Sequence, residues 1–320
     1  MRLRYLARKL GWAVVTLFFV LTFNFFLFRV MPGDPAALLA RSQRLTADEI
    51  AQQRALFGLD DPLLVQYWNY LKETLTGHLG SSYLSGRPVL ETIGIYMWPT
   101  ILLVGVGTGL AVIFGVLFGI KGAWQRGSGF DKTSLYGSLT LYSTPEGWLG
   151  MLLLIIFAGT LGWFPVNGYE SNDQTGLAHI ADVANHLVLP AMTLALGYGA
   201  SFMLVMRSSL LEIKDEDFVG VARAKGLTET MVRRRHAVPN AFLPTFTLIV
   251  LSFGFVIGGA IVVETVFSWP GIGLLTYRAI EAYDFPVLQG VFLVSSIAVV
   301  VANLAADIAY GFLDPRIQEV

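Results

Sequence analysis

Six apolar runs, at about 9–30, 97–121, 135–162, 189–211, 241–263 and 287–310, set the terms for any fold this chain adopts. Each reaches or approaches the ~20 residues that carry a helix across the hydrocarbon of a bilayer. Inside lipid no water is available to backbone amides and carbonyls, so a spanning segment closes its hydrogen bonds on itself, as a helix does. Only 14% of the 320 residues are charged and 54% are hydrophobic, where a soluble domain carries about a quarter charged. Too few charges remain to clothe a water-facing surface. The expected class is an all-α integral membrane protein with six transmembrane helices.

Lys and Arg orient those spans. Alternate connections, beginning at the N-terminus, hold Arg2, Arg4, Arg8 and Lys9, then Lys121, Arg126 and Lys132, then Arg207 to Arg235, then Arg316, in all fifteen of the 22 basic residues. The positive-inside rule therefore places both termini in the cytoplasm. A cleaved signal peptide is the competing reading of the N-terminus. The first run is close to spanning length, however, and "RVMPGDP" follows it in place of a small-x-small cleavage site. The organisation expected is a cytoplasmic N-terminus with the first helix (1–30), an extracytoplasmic region (31–96), the other five helices (97–310) with an inner loop at 212–240, and a cytoplasmic tail (311–320). Within 31–96, "LTADEIAQQRALFGL" (45–59) has Thr46 to cap a helix, Glu49 three residues on, and Ile50, Leu56 and Phe57 as an apolar face.

Several chemistries have no residues to perform them. With no cysteine there is no disulfide framework, thiolate metal site or thiol nucleophile. No G-x-x-x-x-G-K-[ST] occurs, and "GVLFGIKG" has the wrong spacing for a phosphate loop, so ATP, if used, binds another chain. H-E-x-x-H is also missing. A net charge of −1 gives no global pull on nucleic acid. No catalytic residue is assigned. Glycines four apart (Gly105 and Gly109, Gly115 and Gly119, Gly254 and Gly258) suit close helix packing. Trp12, Trp98, Trp124, Trp148, Trp163 and Trp269 read as interfacial anchors.

Two constellations stay open. Glu146, in "STPEGWLG", falls inside the third run, where an ionisable side chain is costly unless wetted or paired. It reads as a pore-lining carboxylate that meets a cationic or peptide substrate, as a carboxylate near the inner boundary that caps a helix broken at Pro145, or as one paired with an arginine of a partner chain. His179, Asp182 and His186 share a helical spacing of loose metal-ligand type, against the plainer reading of solvated or hydrogen-bonded outer-loop residues.

The most informative stretch is "DFVGVARAKGLTETMVRRRHAVPNAFLP", Asp217 to Pro244, between the fourth and fifth runs. Phe218, Val221 and Ala222 predict a short helix with one apolar side, Asp215, Glu216 and Asp217 sit where a helix N-terminus favours negative charge, and Gly226 ends it. An ordinary positive-inside loop accounts for Arg233, Arg234 and Arg235, which hold topology and touch lipid phosphates. It leaves the acidic start and the placed glycine unexplained; these suit a knob that enters a groove on a partner.

This stretch resembles the cytoplasmic EAA loop of the membrane subunits of binding-protein-dependent ABC importers, in particular the dipeptide/oligopeptide/nickel branch. "FRVMPGDP", "VVETVFSWPGIG" and "NLAADIAYGFLDPR" are similar to further parts of that family, in the same order. The resemblance implies a type I importer permease fold and a coupling helix formed by Asp217, Phe218, Ala222, Arg223, Ala224, Lys225 and Gly226, with His236, Asn240 and Pro244 at its junction with the fifth span. It implies as partners a second, homologous permease, two ATPase subunits that hold ATP and Mg, an extracytoplasmic substrate-binding protein and membrane lipid. The expected cargo is di- or oligopeptides, with nickel, oligosaccharides or haem as alternatives within the family. An ion-coupled secondary transporter would need paired intramembrane acids in two matching halves, which the chain lacks.

Overall fold

The computed structural model describes residues 3–29, 60–171 and 175–313. The predicted helix at 45–59 and the tail from 314 onward lie outside the described residues. Among those described, the regular elements are helical, with one isolated β-bridge between Ser81 and Pro88. They are α1 (Leu3–Arg29), α2 (Leu63–Leu75), α3 (Val89–Trp124), α4 (Gly129–Tyr142), α5 (Glu146–Leu153), α6 (Leu177–Lys214), α7 (Asp217–Ala224), α8 (Glu229–Met231), α9 (Val238–Gly259), α10 (Ile261–Val266), α11 (Ile272–Glu281) and α12 (Phe285–Leu313). Wider π turns extend α5 through Leu154–Thr160 and lead into α9 through Val232–Ala237.

Among the described residues, four helices have the length and apolarity of a membrane crossing: α1, α3, α6 and α12. The predicted third span is not one straight rod. α4 and α5 meet at a bend of 107°, because Pro145 brings no amide hydrogen and keeps the residue before it out of helical geometry. The predicted fifth run coincides with α9, which ends at Gly259 and gives way to the short α10. α6 also exceeds its predicted 189–211, taking in the histidine-bearing stretch expected to be loop.

The chain falls into two compact units, residues 1–98 with 271–320, and residues 99–270. In the first, Phe28, Val89, Ile93, Leu275, Phe285 and Leu288 form the apolar core. Asp284 is 2% exposed and accepts from Ser82 Oγ and from the Tyr83 and Leu84 amides, so one carboxylate holds the turn before α3. In the second unit the core gathers Leu103, Leu187, Leu194, Val263, Phe267 and Trp269. Trp269 is not the interfacial anchor expected of it: its ring is fully buried and its indole N–H donates to the Pro99 carbonyl at 2.9 Å. Trp12, Trp98, Trp148 and Trp163 remain exposed, as interfacial tryptophans are.

Of the glycine pairs expected to pack closely, Gly115 and Gly119 do and Gly105 and Gly109 do not. A Cβ at Gly115 would stand 2.6 Å from the Gly199 carbonyl oxygen and one at Gly119 2.8 Å from Met206 Cβ, so α3 and α6 approach backbone to backbone there. Gly107 meets Leu194 on the same face, whereas Gly105 and Gly109 face open space. The working row is Gly107, Ala111, Gly115 and Gly119, a small residue at every fourth position. The surroundings of Gly254 and Gly258 lie outside the described residues.

Candidate functional site: the 214–244 joint

Two turns from the end of α6, Arg207 grips Asp131 in the first turn of α4 with two parallel bonds, Nε to Oδ1 at 2.6 Å and Nη2 to Oδ2 at 3.0 Å. Asp131 also accepts the Gly127 amide, and Ser128 Oγ accepts the Asp131 amide, so the carboxylate belongs to a helix cap and an ion pair together. The serine-x-x-acid spacing of 128–131 is a legible capping signal that the sequence reading passed over.

The chain then turns through Asp215 and Glu216 into α7. Val219 and Ala222 are buried with Val232 against Trp124, Ile213 and Leu227. Of the apolar side expected from the spacing, Ala222 is turned inward, whereas Phe218, 40% exposed, and Val221, 53% exposed, point outward. A short helix with apolar residues on both sides uses one side to fold and leaves the other uncovered. Asp217, Ala224 and Lys225 are exposed with them.

Gly226 closes α7 as expected, at φ +80°. Its amide donates to the Arg223 carbonyl at 2.9 Å, and the Leu227 amide reaches back to Ala222 at 3.4 Å. This is the paired closure in which the residue after the cap turns left-handed, a conformation glycine adopts without Cβ strain. Arg223 Nε then bonds Glu229 Oε1 at 2.9 Å across the turn, and Thr228 caps α8 through the Met231 amide.

The basic elbow follows as a π turn, Val232–Ala237. Pro239 and Pro244 carry no amide hydrogen, so the regular ladder at the start of α9 lacks two donors. Asn240 Nδ2 donates to the His236 carbonyl at 2.7 Å and ties this junction; Pro244 sits exposed one turn on. Arg233 and Lys214 both stand over the Trp124 ring, at 5.8 and 5.2 Å from its centroid, and Lys214 also donates to the Trp124 carbonyl. The end of α3 is therefore clamped between the residues that enter and leave the loop. Arg234 and Arg235 are exposed.

Glu146 belongs to another place. It is half-buried in the first turn of α5, on the far side of the Pro145 break. Beside it lies Gly197, near the middle of α6, where a Cβ would stand 3.6 Å from Glu146 Oε1. Next to it Gly147 packs on Val262 of α10. His179, Asp182 and His186 are drawn into local bonds: His179 pairs with Glu170 at 3.0 Å, Asp182 accepts from the Ser171 amide and hydroxyl, and His186 Nδ1 lies 2.9 Å from the Asp182 carbonyl oxygen. Glu264, which the sequence reading quoted only inside a motif, is fully buried and accepts from Thr100 Oγ1 at 2.7 Å.

Comparison with known proteins covers nearly the whole chain. The family model described as binding-protein-dependent transport system inner membrane component matches residues 111–319, and its N-terminal companion matches residues 2–102. The glutathione transport system permease proteins of Salmonella choleraesuis (strain SC-B67) and Escherichia coli (strain K12) are each 37% identical over 316 residues, 99% of this chain and 99% of theirs. Among solved structures, the inward-facing MetNI methionine ABC transporter shares the fold, with a TM-score of 0.55 at 18% identity over 70% of this chain and 97% of that one. A broken apolar bundle, a glycine-capped loop helix and this end-to-end match have one common reading: the chain belongs to the inner membrane components of binding-protein-dependent transport systems.

Proposed function

We propose that this chain forms half of the translocation pathway of an ATP-driven importer for glutathione or similar short peptides. The observation that carries the cargo class is the 37% identity over 99% of both chains to permeases named for glutathione transport. In this reading the chain crosses the membrane six times, the bent α4–α5 pair and α9 making up the third and fifth crossings, and both termini are cytoplasmic. A second, homologous permease completes the pathway, an extracytoplasmic binding protein delivers the peptide, and two partner ATPase subunits bind ATP and Mg. This chain has no nucleotide site of its own.

α7 is the part that meets an ATPase subunit. Phe218 and Val221 supply an apolar face, with Asp217 and Lys225 beside it and Arg223 bound into the turn. Movement of that face reaches the bundle through the buried Val219, Ala222 and Val232 and through the clamp on Trp124. Glu146 is assigned to the pathway: a carboxylate at a helix break beside mid-α6 suits the ammonium end of a peptide. The alternatives of nickel, oligosaccharide or haem have no feature of the chain in their favour.

The test is gentle purification of the tagged chain from its native membrane, intact-complex mass spectrometry, and then uptake of labelled glutathione into proteoliposomes with ATP inside and the binding protein outside. Recovery of a second permease with two ATPases, and uptake that needs ATP, are expected. A chain that purifies alone and still transports overturns the assignment.

A further inference from the structure

The helix α2 has three distinct faces, and two of them are accounted for among the described residues. One face packs on the last turns of α1: Tyr67 OH pairs with Thr22 Oγ1 at 2.7 Å, Asn24 Nδ2 donates to Tyr70 OH at 3.2 Å, and the Phe25 ring lies 5.2 Å from Tyr67 and 5.5 Å from Tyr70. A second face is polar: Gln66, Asn69 and Glu73 line a cavity of about 590 Å³ together with His78 and Gln289. The third carries Leu64, Trp68 and Leu75, which are 83%, 68% and 77% exposed. Their spacing of four and seven puts them on one stripe of a helix.

Depth identifies what covers that stripe. The crossing stretch of α1 runs from Ala7 to Arg29, with Arg8 and Lys9 near one end and Arg29 at the other, and its 23 residues at ~1.5 Å each give about 34 Å, barely more than the ~30 Å of hydrocarbon. Thr22 to Phe26 lie three to seven residues before its end, or about 5–10 Å inward from it. α2 is bonded to α1 at that depth, below the boundary where water begins. The neighbouring outward residues of α1, Phe19, Phe23 and Phe26, are themselves exposed at 64%, 67% and 50% and face lipid as part of a membrane crossing. Leu64, Trp68 and Leu75 continue that surface.

We infer that α2 is a membrane-embedded interfacial helix, seated in the outer leaflet with its Leu64–Trp68–Leu75 stripe against acyl chains and its polar face turned inward to the cavity. Such a helix lies at the headgroup boundary, with an indole at the level where tryptophans concentrate and Lys72 free to reach toward headgroups. It also shields Asn24, 4% exposed within α1, from lipid. The choice of leaflet rests on the orientation proposed above; the contact with lipid does not.

The chain's lack of cysteine allows a direct test. Leu64→Cys, Trp68→Cys and Leu75→Cys, and as a second set Asn69→Cys and Glu73→Cys, are nitroxide-labelled in the assembled complex in lipid nanodiscs. Collision with oxygen and with a water-soluble nickel chelate is then measured by EPR. Labels at 64, 68 and 75 are expected to favour oxygen over the chelate several-fold more than labels at 69 and 73. Equal chelate access at all five positions overturns the inference, and so does exclusion of both reagents at 64, 68 and 75, which would mean that protein covers the stripe. Gln125→Cys and Ser85→Cys, probed with an impermeant maleimide on intact spheroplasts, report orientation separately. Labelling at 85 alone fits the outer leaflet. Labelling at 125 alone overturns the orientation and moves α2 to the inner leaflet.

Discussion

The loop after α6 and the segment after α9 are built from the same parts and finished in opposite ways. Each carries a short helix closed by a residue in the left-handed conformation: Gly226 at φ +80° after α7, Ser268 at φ +51° after α10. In both, the amide two positions past the cap reaches back into the last turn, Leu227 to Ala222 and Trp269 to Glu264. After α9 the larger side chains turn inward, with Glu264 and Trp269 at 0% exposure, while Val262 and Ser268 stay exposed. After α6 the helix keeps Phe218 and Val221 outside. Ser268 is itself exposed, but its neighbours Phe267 and Trp269 are buried, and holding both over-determines the backbone between them, so the ~1–2 kcal/mol cost of a left-handed non-glycine residue is absorbed by their packing. The exposed loop has no such surplus and uses glycine. One segment is completed by its own chain, and the other keeps an uncovered face, which the proposed function gives to an ATPase subunit.

If that contrast holds, the largest stability effect belongs to the inward segment. Trp269→Ala is expected to cost about 3–5 kcal/mol and Trp269→Phe, which keeps a ring but orphans the Pro99 carbonyl, about 1–3 kcal/mol, both read by thermal denaturation of the purified complex. A shift no larger than that of an exposed tryptophan such as Trp148 would break the comparison. The two arginine–carboxylate pairs repeat it within the second unit. Arg207→Ala strips a partner from Asp131, whose side chain is 4% exposed, and should cost about 3–5 kcal/mol. Arg223→Ala opens a pair whose members are 36% and 60% exposed, and should cost about 0.2–1 kcal/mol.

At the loop, stability and transport should separate. Gly226→Leu is expected to abolish ATP-driven uptake at an unchanged level of inserted protein, with a strain of only about 1–2 kcal/mol; normal uptake in that variant would refute the joint. Phe218→Asp should leave the melting temperature within the roughly 0.5 kcal/mol scatter of surface changes. Recovery of the ATPase subunits with the tagged chain should fall about tenfold, the loss of one modest aromatic anchor. A melting temperature that falls while ATPase recovery is unchanged would place Phe218 in the core instead.

These outcomes bear on what could be read before any coordinates. Gly226 was legible because an exposed left-handed turn leaves little choice but glycine, and the spans were legible because lipid permits so few solutions. Ser268 carries no such mark, since its conformation is imposed by distant packing. Which apolar residues of α7 turn inward is not legible, because Phe218 and Val219 are adjacent and both apolar and periodicity alone cannot choose between them. Trp269 looked like its surface counterparts because composition does not say which indole finds a carbonyl. The Pro145 break was visible as a proline, yet its bend was hidden within a run whose apolarity read as continuous.

The unbroken length of α6 gives the loop mechanical reach. Its 38 residues extend about 57 Å, nearly twice the hydrocarbon thickness, and its tightest contact with α3 falls at Gly199. From that fulcrum the helix runs about 23 Å to Lys214 and about 33 Å to Leu177, the longer arm passing through Pro190, where one ladder bond is missing. Moved as one rod, it would return each ångström of sideways travel at its Lys214 end, cytoplasmic in the orientation proposed above, as about one and a half at the opposite tip. Leverage of this kind would let a small stroke beneath the membrane open a wider gap above it.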